Sequence, residues 1–350
     1  MRYTLFGRTG LRVSELALGT MTFGTGWGWG TSEEEAARIF DAYAEAGGNF
    51  IDTANVYTDG DSERYLARLL KGRRDAFLLA TKYTCAVQGD GPNTGGSHRK
   101  SLVTAVEASL RRLETDRIDV LYVHARDLFT PVEETMRALD DQVRAGKVLY
   151  VAVSDWPAWE IARADALAEL RGWSPFAGVQ LRLNLLERSP ERELLPMADA
   201  LDLAVVGWGP LAEGRLTGKY LRGEGGRRDT FRFGEDHPRE EEIIRTVVAV
   251  AEEGGWTPAQ VALAWLRTRP GTVIPLLGAT RAAQLQDNLG ALGVELDAGA
   301  LARLDGVSRI GLGFPHDFLS DPVGRQSVYG AYGPERIDDR RRLSRSAAAG

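Results

Sequence analysis

The chain has 350 residues, 43% of them hydrophobic and 26% charged, with a formal net charge of −6. That much apolar material excludes a disordered chain, the acidic balance argues against a nucleic-acid or acidic-membrane partner, and no apolar run approaches the ~18 residues that span a bilayer. The length admits either two ordinary domains or one α/β barrel enlarged by loops.

Met1–Gly7 carries one positive charge and no apolar core, so no secretory leader is expected. Gly7, Thr9 and Gly10 suggest a short hairpin before Ser14. Short β-branched or aromatic runs then recur at Leu16–Gly19, Asn49–Asp52, Ala76–Thr81, Ile118–Val123, Val148–Val153, Gly178–Leu181, Ala204–Trp208 and Thr272–Leu276. Helical patterns separate them. Ser32 to Glu35 reads as a capping box, Pro131 opens a helix that Gly146 stops, and Thr257-Pro258 opens another. Alternating β and α units predict a parallel sheet, and eight of them favour a closed (β/α)8 barrel over an open doubly wound sheet. A single domain over residues 1–335 and a basic, disordered tail over 336–350 are expected. Ala86–His98 and Pro210–Pro238 read as long rim loops, and many of the chain's 40 glycines are expected in rim loops.

Cys85 is the single cysteine, so no internal disulfide and no multi-Cys metal site is expected, and a reducing cytoplasm is the simplest home. The four histidines lack ligand spacing, and no metal is expected. Gly207 to Ala212 matches a dinucleotide fingerprint only in part, because Pro210 and the glycines after it do not open a helix.

Barrel active sites lie at the C-terminal ends of the strands. Those ends collect Asp52 and Tyr57, Lys82, His124, Ser154-Asp155, Gln180, Trp208 and Thr280-Arg281. Taken singly, each has a bland reading as a cap, a solvated charge or a packing residue. Together they make a proton-transfer set: Asp52 balances Lys82, whose charge lowers the Tyr57 pKa toward use as a general acid, and His124 polarises a carbonyl. Such a set has no electron source, so a hydride-donating cofactor is implied.

Leu5 to Ser14, Leu18 to Gly24, Phe50 to Ala54 with Tyr57, Ala80-Thr81-Lys82, Leu121 to His124, Gly146 to Val148 with Val153-Ser154, and Pro210 to Tyr220 together resemble the aldo-keto reductase family, over about Tyr3 to Arg309. The resemblance implies a (β/α)8 barrel without a Rossmann domain, reducing a small-molecule carbonyl with NAD(P)H. It implies Tyr57 as proton donor, Lys82 and Asp52 as its tuners, and His124 as the substrate-orienting residue. It also implies a cofactor site: Gly19, Thr20, Met21, Ser154, Asp155, Gln180 and Trp208 at the nicotinamide; Gly209, Pro210, Leu211, Gly214 and Leu216 at the pyrophosphate; Gly278, Thr280, Arg281, Gln284, Asp287 and Asn288 at the adenosine. Asp155 stands where the family usually has Asn, Leu183 where many relatives have Tyr, and Leu276 where some carry a Lys for the 2′-phosphate. Arg281 offers a fork for that phosphate, so NADPH is expected over NADH. Trp27, Trp29 and Phe129 form a candidate aromatic wall for substrate. The second reading is a nicotinamide-binding regulatory subunit resembling channel beta subunits. The variable loops leave the substrate, including a biosynthetic one, and the oligomeric state open.

Overall fold

The computed structural model describes residues 1–87, 89, 91–226, 239–330 and 336, so most of the expected tail and the end of the 210–238 loop lie outside the described residues. Two compact units are distinguishable, Met1–Ser308 and Arg309–Gly350.

The first unit opens with an antiparallel hairpin, β1 (Tyr3–Leu5) and β2 (Arg12–Ser14). Eight parallel strands follow: β3 (Ala17–Gly19), β4 (Phe50–Asp52), β5 (Leu78–Tyr83), β6 (Ile118–Val123), β7 (Val148–Ser154), β8 (Phe176–Arg182), β9 (Ala204–Trp208) and β10 (Val273–Leu277). They pair in chain order, and β10 closes the ring by pairing with both β3 and β9. Helices α1 (Glu33–Glu45), α2 (Asp61–Leu69), α3 (Arg99–Leu113), α4 (Val132–Arg144), α5 (Ala158–Arg171) and α6 (Leu194–Ala200) connect successive strands outside the ring. The long gap before β10 holds two helices, α7 (Glu240–Gly254) and α8 (Pro258–Arg267). After β10 come α9 (Ala282–Leu289) and α10 (Ala298–Ser308).

Local chemistry explains most of the boundaries. Thr257 and Gln260 form a complete capping box at α8. At α1 only half the expected box exists. Ser32 accepts the Glu35 N–H, but the Glu35 carboxylate turns away to accept the Ala282 N–H at 2.7 Å. There it meets the positive end of α9, a better partner for an anion than its own backbone.

The barrel interior is packed by Phe6, Phe50, Val120, Tyr122, Val206 and Ile274, fitted among Ala17, Ala80, Ala152, Ala177 and Ala204. Small residues on some strands make room for aromatic rings from others. Phe6 comes from the hairpin, and its ring meets Phe50 edge-on at 5.5 Å. With Val13 it stoppers the end of the barrel away from the strand C-termini. The turn that delivers Phe6 requires glycine: Gly7 has φ +57, and a Cβ there would lie 2.4 Å from the Ala177 carbonyl oxygen.

The second unit contains α11 (His316–Ser320) and α12 (Pro322–Tyr329), the latter capped by Asp321. Among the described residues no helix is long and apolar enough to cross a membrane.

Candidate active site

Lys82 sits one residue from the end of β5 and is fully buried. Its ammonium donates to the Asp52 carboxylate, to the Thr53 carbonyl at 2.8 Å and to the Tyr57 hydroxyl at 3.1 Å. Three acceptors for three N–H bonds is what a buried ammonium requires. Asp52 ends β4, and its second oxygen accepts from Gln180 Nε2, which reaches across from β8 at 2.9 Å. Tyr57 begins a short 3-10 turn in which Thr58 and Asp59 have positive φ, and the Thr58 hydroxyl pins that turn to the Phe23 carbonyl at 2.6 Å. His124 follows β6, and its ring stands edge-on to the Tyr57 ring at 5.8 Å.

Burial and charge set the protonation states. Burial pulls Lys82 down, but the facing Asp52 and Tyr57 outweigh it, so the ammonium is held above its usual range. Burial, together with the Lys82 charge, lowers His124 to about 3, which keeps the imidazole neutral. The Tyr57 hydroxyl departs from the sequence expectation. Burial raises it, and the opposing pull of Lys82 only partly offsets this. A dry pocket penalises phenolate more than one shared ammonium favours it. Tyr57 is thus a proton-loaded phenol with a cation waiting behind its oxygen.

A cavity of about 1000 Å³ opens above this cluster. Of the cofactor candidates, Gly19, Met21, Ser154, Asp155, Gln180, Trp208, Gly209, Pro210, Leu211, Gly214, Gly278, Thr280, Arg281, Gln284, Asp287 and Asn288 line it. So do Asp52, Tyr57, His124, Trp27 and Trp29, the two indoles lying 5.4 Å apart. Four candidates lie elsewhere. Lys82 is behind Tyr57. Thr20 is buried, and its hydroxyl donates to the Asp52 carbonyl at 2.9 Å, a strand-linking role. Leu216 is wholly buried in the core. Phe129 is 94% exposed on the loop before α4. Sequence reasoning passed over Val56, Ala125, Lys219 and Arg222, which also line the cavity, as does Cys85, expected near the site as a bystander. Lys219 and Arg222 stand in the Pro210–Pro238 loop, whose basic, Gly-rich composition was the available signal.

A family model, the aldo/keto reductase family, matches residues 15–309. The chain belongs to the aldo/keto reductase family. Similar proteins include a norsolorinic acid reductase of Emericella nidulans, 40% identical over 321 residues that cover 89% of this chain and 82% of that protein. Another norsolorinic acid reductase, from Aspergillus flavus, is 37% identical over 90% of this chain and 83% of its own. A putative aryl-alcohol dehydrogenase of Saccharomyces cerevisiae is 35% identical, covering 89% of this chain and 88% of that one. This reductase is therefore an oxidoreductase acting on carbonyl compounds, and its family works with a nicotinamide cofactor.

The cavity of the reductase suits such a dinucleotide. Its catalytic end has a flat indole, Trp208, beside the Ser154 hydroxyl; Lys219 and Arg222 supply cations along its length; and Arg281 stands at the start of α9. Gly214, at φ +86, lets the Lys219 side chain close over the loop, since a Cβ there would crowd the ammonium at 3.1 Å. The indole is firmly set. Its Nε1 donates to Asp155 at 3.1 Å, and the Arg182 guanidinium lies over its ring at 5.5 Å. Arg182 is held by both Glu213 oxygens at 3.3 Å, and Glu213 is held in turn by the buried Arg215 at 3.1 Å. This ion-pair chain fastens the end of β8 to a turn in which Ala212, Glu213 and Gly214 all have positive φ. Asp155 itself has φ +53, a conformation that Asp and Asn tolerate better than other side chains. The enclosing walls push its carboxyl up, against the hydrogen bonds from Trp208 and Ser154. Leu183, another departure from the family pattern, follows β8 and is fully buried. Asn184 beside it is structural, donating to the Gly209 carbonyl at 2.9 Å.

Proposed function

We propose that this reductase converts an aldehyde or ketone to the alcohol with NADPH, Tyr57 supplying the proton. The observation that carries this reading is the hydrogen-bonded chain Asp52–Lys82–Tyr57, which ends on a phenol at the floor of the cavity with a neutral imidazole beside it.

Trp208, Ser154 and Asp155 would hold the reduced nicotinamide, which would supply the hydride. The protein's part is the proton. A substrate carbonyl oxygen held between the Tyr57 hydroxyl and the His124 ring gains negative charge as its carbon accepts the hydride. Neutral His124 orients and polarises that oxygen without competing as an acid. Tyr57 then gives its proton to the developing alkoxide, and the phenolate left behind is stabilised by Lys82 at 3.1 Å. Asp52 keeps that ammonium in place, and Gln180 keeps Asp52 aimed. The assembled chain favours turnover over the alternative of a binding subunit.

Arg281, at the mouth of α9, supports NADPH over NADH through a bidentate grip on a 2′-phosphate. Trp27 and Trp29 support a substrate bearing an aromatic ring, in keeping with relatives named for norsolorinic acid and aryl alcohols. The free Cys85 suits a reducing compartment such as the cytoplasm. The test is oxidation of NADPH and of NADH against matched aromatic and aliphatic aldehydes, using the wild-type protein and Tyr57→Phe. Equal turnover by both proteins would refute the role of Tyr57, and a preference for NADH would refute the cofactor assignment.

A further inference from the structure

The cavity wall carries a carboxyl group with no cationic hydrogen-bond partner. Asp155 accepts from two neutral donors, Trp208 Nε1 at 3.1 Å and the Ser154 hydroxyl at 3.3 Å, and forms no ion pair among the described residues. The nearby cations are already matched, Lys82 with Asp52 and Arg182 with Glu213. Nor does the backbone demand a carboxylate: at φ +53 asparagine serves equally, keeps an acceptor oxygen for Trp208 and brings no charge. Beyond its charge, Asp adds only a second acceptor, used by a Ser154 hydroxyl that could equally accept from an amide.

A carboxylate partly walled off from water is stabilised by any cation that enters beside it. On the reading given above, the group that enters beside Trp208 is the nicotinamide ring. The two redox states of that ring differ by one positive charge, which the oxidised form carries. We propose that Asp155 is a specificity-determining residue that binds the oxidised cofactor more tightly relative to the reduced one, and so lowers the potential of the bound couple and tilts this site toward carbonyl reduction. In that direction the reduced ring would give a hydride to the carbonyl carbon while Tyr57 gives its proton to the carbonyl oxygen. One alcohol, one oxidised cofactor and one Tyr57 phenolate result, and the phenolate later takes a proton from solvent.

The test is calorimetric titration of the full chain with NADP⁺ and with NADPH, for wild type, Asp155→Asn and Asp155→Gly. Both replacements accept a positive φ, and glycine also removes the bond to Trp208, which separates charge from geometry. Both variants are expected to raise the ratio of the NADP⁺ to the NADPH dissociation constant by about tenfold, equal to about 1.4 kcal/mol or, for a two-electron couple, about 30 mV in the potential of the bound cofactor. A ratio that stays within about twofold of wild type in either variant overturns the proposal, since the charge is lost in both. If neither redox state binds the wild-type protein, the nicotinamide assignment fails instead.

Discussion

Replacing Lys82 by Met tests the centre of the site, because this ammonium serves folding and chemistry at once. Its charge lies 3.1 Å from the Tyr57 oxygen. At an effective dielectric of ~20 the attraction to a phenolate there is about 5 kcal/mol. Asp52, bonded to the same ammonium, cancels roughly half, leaving about 2–3 kcal/mol for the transition state, or roughly thirty- to two-hundred-fold in rate. The same substitution leaves Asp52 buried with Gln180 as its remaining side-chain donor, and breaking a buried ion pair on one side costs about 3–5 kcal/mol of stability. Adding Asp52→Asn removes the stranded charge. The double variant should therefore recover most of the stability and none of the rate. Single-turnover hydride transfer at saturating cofactor reads the first quantity and urea unfolding reads the second. A double variant that recovers the rate, or a Lys82→Met protein that reacts as fast as wild type, would refute the electrostatic role.

Three further predictions concern other parts of the molecule. Since His124 titrates near 3, it is neutral throughout the range above, and Tyr57, raised by burial, keeps its proton well into alkaline solution. The pH profile of kcat/KM for reduction should then show no limb at histidine's ordinary ~6.5, falling only on the alkaline side as Tyr57 ionises, and a limb near ~6.5 that His124→Asn abolishes would contradict this. Phe6→Ala should cost about 3–5 kcal/mol in denaturant unfolding, because the ring is wholly buried against Phe50. Phe129→Ala should change stability by less than about 0.5 kcal/mol and leave KM for a benzaldehyde-type substrate unaltered, since the side chain is 94% exposed and away from the cavity lining; a several-fold rise in KM would return Phe129 to the substrate wall.

The barrel was legible in the sequence because each strand is a short run bounded by turn residues, and Ile118–Val123 and Ala204–Trp208 match the observed strands to the residue. The strand-end side chains, Asp52, Lys82, His124 and Asp155, were legible for the same reason, since a strand end in a barrel has one place to point. What lay beyond reach depends on how loops return in space. Lys219 and Arg222 reach the cavity through a turn of consecutive positive-φ residues that no periodicity marks. Glu35 looked like the partner of its own helix cap and turned out to hold the start of α9, 247 residues away in sequence. Thr20 and Leu216 sit inside motifs that do line the site, but the pleat of a strand end and the twist of a short helix turn them inward. The Tyr57 shift was missed because a pair of charges can be guessed from spacing, whereas the dryness around them cannot.

That dryness begins far from the reaction. The N-terminal hairpin contributes no atom to the cavity lining, yet Phe6 and Val13 seal the barrel's lower end. Lys82 and Asp52 are fully buried above this apolar packing. A ligand seated in the mouth completes an enclosure that the hairpin has already half built, and every charge inside acts more strongly once it is there. The hairpin thus works as electrical insulation: a few apolar side chains at one end of the molecule set the strength of the field felt at the other.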